Sequence, residues 1–175
     1  MDIRAGTYHQ GLRLLDSTRQ GIQQWLAGSS NTEDWRRLDA RLDMIAGQAF
    51  LGLGKQEEAS SIASVIVRVA RRLFKENPTA LSNRTLLITS LIFEARVATM
   101  NTEFPQEHSN WQEVLAIVEE TEKDRFYPEG LDAYVRASLY MGSRNDIGDK
   151  IRILNDAGYQ HPDFVTVLQS YGVIY

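Results

Sequence analysis

Apolar residues recur along this chain at steps of three and four almost from end to end, and no strand-like alternation of useful length interrupts them. Tyr8, Leu12, Leu15, Ile22, Trp25 and Leu26 outline a first helix over residues 4–27, stopped by Gly28. Ser30-Asn31-Thr32-Glu33 then reads as a capping box, with Ser30 and Glu33 satisfying free amides at the next helix start. Leu38, Leu42, Ile45, Ala46, Ala49 and Leu53 mark a second helix that ends at Gly52-Leu53-Gly54. A third, over 56–76, carries Ile62, Ile66, Val69 and Leu73 on one face, and Ala59, Ala63 and Ala70 allow close approach. Asn77-Pro78 stops it, because proline disfavours helical dihedrals in the residue before it.

The same period places a fourth helix over 80–100 through Leu87, Leu91, Ala95 and Ala98. Asn101 to His108 contains Pro105 and little apolar material, so it reads as a loop, with Ser109 and Gln112 capping a fifth helix. Pro128 opens a sixth helix running to Met141, where Gly142 closes it. Asp146 to Ala157 forms the seventh, stopped by Gly158, and Pro162 opens a last helix through Phe164, Val165 and Leu168. All four prolines fall between helices in this reading. The expected fold is therefore all-α, with seven or eight antiparallel helices.

Helices joined by short turns invite a search for a repeat. Ala59, Val114 and Ile147 stand at equivalent points of their helices, 55 and then 33 residues apart. Gly47, Phe50, Gly54, Ala59 and Ala63 resemble the small-residue and aromatic signature of a tetratricopeptide repeat, and the second step approaches that family's period of about 34 residues. Residues 40–73 carry the likeness best. Arg71 stands where the family's closing proline would be, Asn101 to Ser109 forms an insertion, and Val135 and Ser138 replace an expected small residue and aromatic. The resemblance implies one helical-repeat domain over 1–175, stacked as a short superhelical array. Its parts would be an N-terminal helix (1–29), three pairs (30–78, 79–125 and 126–158) and a capping helix (159–175). A closed helical bundle is the competing arrangement.

Composition narrows the function. The chain of 175 residues has a net charge of −4 and no cysteine, which removes disulfides and thiolate chemistry. Residues 1–78 hold 11 basic and 9 acidic side chains, whereas 79–175 hold 8 and 14. Such a balance argues against general nucleic-acid binding, which needs many cations to neutralise phosphates. Arg68, Arg71, Arg72 and Lys75 form a local basic cluster, read as a solvated helix end. The longest charge-free apolar helical stretch, Thr85 to Phe93, is too short for a bilayer of about 30 Å, so no membrane insertion is expected. A soluble, cytoplasmic protein is the default expectation, and a soluble domain of a tethered chain fits the same residues.

Catalytic and ligand motifs are scarce. Gly52-Leu53-Gly54-Lys55 superficially resembles a phosphate loop but lacks the Walker spacing and has Gln56 where a Ser or Thr belongs. Glu103, Glu107 and His108 cannot easily converge on one ion, His9 has no partner at metal-ligand spacing, and His161 reads as a helix-start cap. Glu119, Glu120, Glu122 and Asp124 fan around one helix rather than facing a cleft. Asn83-Arg84-Thr85 matches a glycosylation sequon near a helix start. No catalytic residue, metal or cofactor is expected.

The resemblance leaves recognition as the expected role: a non-catalytic module that presents a concave groove to a peptide, a partner helix or another protein segment, inside a larger regulatory or signalling protein. It maps groove positions onto Arg41, Met44, Gln48 and Leu51, and onto Glu129, Asp132, Arg136 and Tyr140. A secretion-chaperone-like or effector-sensing protein is the alternative within that class. A small helical hydrolase or lyase, with Asn101 to Ser109 closing over a pocket, is the alternative outside it. The broad stripe of Tyr8, Leu12, Leu15, Ile22 and Trp25 adds the expectation of a homodimer through the first helix, or of an upstream segment that covers it.

Overall fold

The computed structural model of the chain describes residues 3–26, 32–101, 104–121, 128–143 and 147–173. The described residues are all-α. Their helices are α1 (Ile3–Leu26), α2 (Thr32–Gly52), α3 (Gln56–Glu76), α4 (Leu81–Met100), α5 (Phe104–Thr121), α6 (Pro128–Tyr140), α7 (Ile147–Asp156) and α8 (Pro162–Ser170). None among the described residues is long and apolar enough to cross a membrane. Gly28, Ser30, Asn31, Glu122 and Asp124 lie outside the described residues, as do the side chains of Ile22 and Trp25.

Helix α5 starts earlier than its composition suggested. From Phe104 onward the expected loop is helical, and Ser109 and Gln112 lie inside the helix instead of capping it. Pro105 falls in the first turn, where a missing N–H is harmless and the fixed φ is already helical. His161 flanks α8 but makes no side-chain cap. Glu33, expected in a capping box, spends its carboxylate on Arg37 and Asn83.

The chain divides into two compact units, Met1–Glu103 and Phe104–Tyr175, so the division falls inside the span expected to form a second pair. In the first unit, α3 buries Ala59, Ala63, Ile66, Val67, Ala70 and Leu73 against α2 and α4. Arg36 near the start of α2 pairs with Glu76 at the end of α3, so the two run antiparallel. Helix α1 packs on α2 through Arg19, which bonds Asp39 and Asp43, and through the Tyr8 ring against Gly52. The core of the second unit joins Leu131, Val135 and Leu139 of α6 to Ile147, Ile151 and Leu154 of α7 and to Phe164 and Leu168 of α8.

Gly47 is the tightest point of the first unit. A Cβ there would lie 2.7 Å from the Phe93 ring and 3.2 Å from Ile62, so three helices meet at one missing side chain. Phe93 is buried, so its ring can yield only by displacing the side chains packed around it. Gly47→Ala should therefore cost about 1–3 kcal/mol through overpacking. That outweighs the gain of about 1 kcal/mol that alanine brings to an open helix. A raised melting temperature in this variant would contradict the contact.

Candidate functional site

Helices α2 and α4 are placed by a polar hub and by the Gly47 contact. Arg37, near the start of α2, donates to the Ser82 hydroxyl at 2.8 Å and to Asn83 Oδ1 at 3.1 Å, near the start of α4. Ten residues further along both helices, Gly47 meets Phe93. The two helices thus run parallel and side by side, with α3 antiparallel behind them. Asn83 is fully buried and locks the arrangement. Its amide donates to Glu33 Oε1 at 3.1 Å and to the Leu73 carbonyl at 3.0 Å near the end of α3, a carbonyl that also accepts the Asn77 N–H at 3.0 Å. With no exposed surface, the sequon asparagine is out of reach of any modifying enzyme in the folded chain.

The sides of α2 and α4 that face away from α3 form one surface. On α2 it carries Arg41, Ile45 and Gln48, all exposed. Leu81, Thr85, Ile92, Arg96 and Thr99 follow the same side of α4. Ile45 and Leu81 are each 51% exposed, and Met100, at the end of α4, is 50% exposed. Of the groove positions implied by the resemblance, Arg41 and Gln48 lie on this surface, while Met44 and Leu51 are half-buried. The apolar period had grouped Ile45 with the core. The sequence missed it because its face is decided by where α1 and α3 pack, not by its own neighbours. The α4 contribution was also missed, since the insertion blocked the mapping; the repeated Arg37–Asn83 and Gly47–Phe93 offset is the signal that finds it.

The second set of positions behaves differently. Glu129 is exposed, and Tyr140 stacks on Trp111 at 4.5 Å between ring centroids, with Tyr171 edge-on at 5.8 Å. Asp132 and Arg136 are only 6% and 7% exposed, so they do not open to a groove. They form a two-pronged pair, Arg136 Nε to Asp132 Oδ1 and Nη2 to Oδ2 at 2.9 Å. The Tyr159 hydroxyl donates to the same carboxylate at 2.8 Å, and His161 Nδ1 lies 3.5 Å from Arg136. Burial, and then the Asp132 charge, hold the Tyr159 phenol above its ordinary pKa, so it stays a donor. This cluster ties the segment before α8 to α6.

The motifs of doubtful chemistry resolve structurally. Gly54 has φ of +72°, and the amides of Leu53, Gly54 and Lys55 bond the carbonyls of Ala49, Leu51 and Phe50. A phosphate would find these donors already spent on a helix stop. Among the described residues, no group of three or more His, Asp or Glu side chains could hold a metal ion. Leu12 and Leu15 of α1 are half-buried, whereas Leu14 and, more marginally, Tyr8 are exposed. Comparison with protein-family models, with curated proteins and with solved structures returned no match.

Proposed function

We propose that the chain is a non-catalytic protein-interaction module that takes a peptide or a partner helix along the surface shared by α2 and α4. In this reading the helices stack as a short tetratricopeptide-like array with α8 as a terminal cap. The observation that carries it is Ile45, a large apolar side chain half-open to solvent amid polar neighbours on a rigid, parallel helix pair. The constant offset between α2 and α4 supports the stacking, because repeated pairs place their first helices side by side. A hydrolase or lyase using Asn101 to Ser109 as a lid loses most of that loop, since it is helical from Phe104.

A photo-crosslinking residue at Gln48 tests the proposal. It should capture a partner from native extract that the same residue at Arg68, on the opposite side of the unit, does not. Ile45→Asp should weaken that partner's binding about tenfold to a hundredfold, the worth of one buried aliphatic anchor of about 1.5–3 kcal/mol. Equal capture from both positions would dismiss the surface as a specific site.

A further inference from the structure

The chemistry of this surface selects the kind of segment that fits it, an inference that rests on the proposed function. Three observations bear on it. The threonines of α4 turn their hydroxyls inward: Thr85, Thr89 and Thr99 donate to the carbonyls of Leu81, Thr85 and Ala95 at 2.8–2.9 Å. What they offer outward is methyl, so the side of α4 between Leu81 and Thr99 is more apolar than its composition reads. On the α2 side, the carboxylates of Glu33 and Asp34 are both held by Arg37. Arg41 is exposed and has no ion-pair or hydrogen-bond partner among the described residues, and Arg96 is the charged side chain on the α4 side. The surface is thus an apolar strip edged by cations, in a chain whose net charge is −4.

The geometry points to an acidic amphipathic segment as the occupant: a peptide or helix that sets aliphatic or aromatic side chains on Ile45 and Leu81 and carboxylates opposite Arg41. Charge complementarity decides the sign and the apolar strip supplies the contact area. Two guanidinium groups are too few to neutralise a nucleic-acid backbone, whose binding grows with the number of phosphates matched. A bilayer is a poorer fit, because stable anchoring draws on several bulky side chains and a polybasic rim.

Selection from a random peptide library displayed on phage, panned against the full chain and against its Arg41→Glu variant, tests this. The full chain should enrich peptides in which Asp or Glu flanks apolar residues. The variant should lose that enrichment and bind the selected peptide about ten times more weakly, as should the parent at high salt. Arg41 is exposed and distant from the core contacts, so an unchanged thermal melt will certify the fold. Enriched peptides without an acidic bias, or indifference to Arg41→Glu, would overturn this inference and leave peptide binding intact. Enrichment of nothing that Ile45→Asp abolishes would overturn the proposed function as well. Displacement of the selected peptide by duplex DNA or by phosphatidylserine vesicles would overturn the choice of a protein segment.

Discussion

Arg136→Ala should destabilise the second unit by about 3–5 kcal/mol, because it leaves the Asp132 carboxylate buried with its counter-charge removed. The Tyr159 hydroxyl, still donating at 2.8 Å, can offset only part of that loss. Arg136→Lys should fall between the parent and the alanine variant, since a point charge cannot reproduce both prongs of the guanidinium. The double variant Asp132→Leu with Arg136→Met should recover much of the stability, as an apolar pair of similar volume carries no desolvation cost. Trp111 is buried and stacked on Tyr140, so its fluorescence reports on this unit. Urea titration followed at Trp111, with Trp25 and Trp35 replaced by Phe, separates it from the first unit. A loss below about 1 kcal/mol for Arg136→Ala would be the behaviour of a surface pair and would contradict the burial.

Phe164→Ala should cost a similar amount, about 3–5 kcal/mol, by opening a cavity in the cluster that joins α6, α7 and α8. Phe164 is fully buried and meets Tyr159 edge-on at 5.9 Å. The Arg136 guanidinium lies 5.9 Å from its ring centroid. The ring is therefore part of the packing around the ion pair. The two alanine variants should be non-additive: combined in one chain, they should cost less than the sum of their separate effects. Phe164→Leu, which keeps most of the volume, should cost only about 1–1.5 kcal/mol. The same urea titration measures all three. Strict additivity would show that Phe164 and Arg136 stabilise the unit independently.

The helices themselves were legible because their signals are local. The period of α3 and its Asn77-Pro78 stop define Gln56–Glu76 without help from any other segment. Pro105 misled for the opposite reason: a proline breaks a helix interior but suits a first turn, and a run poor in apolar residues cannot say which is present. Asp132 and Arg136, four apart, look like a solvated ion pair on an amphipathic helix. The segment that brings Tyr159, His161 and Phe164 against them, more than twenty residues later, puts them inside. Ile45 is the mirror case, an apolar residue in period with the core that the packed helices leave half-open to solvent. In each case the missing information was which neighbour packs where, and no helical period contains that.

The buried Asn83 makes the chain a clock for its own folding. Its side chain is a structural bolt between three helices and also the acceptor of a glycosylation sequon. Moved through a eukaryotic secretory pathway, the nascent chain would offer Asn83 to the transferase only until α2, α3 and α4 close around it. A glycan attached before that moment has no room in the finished unit and would hold the chain open. Glycan occupancy at this one residue would thus record how often modification outruns folding, and every occupied molecule would be one that lost the race.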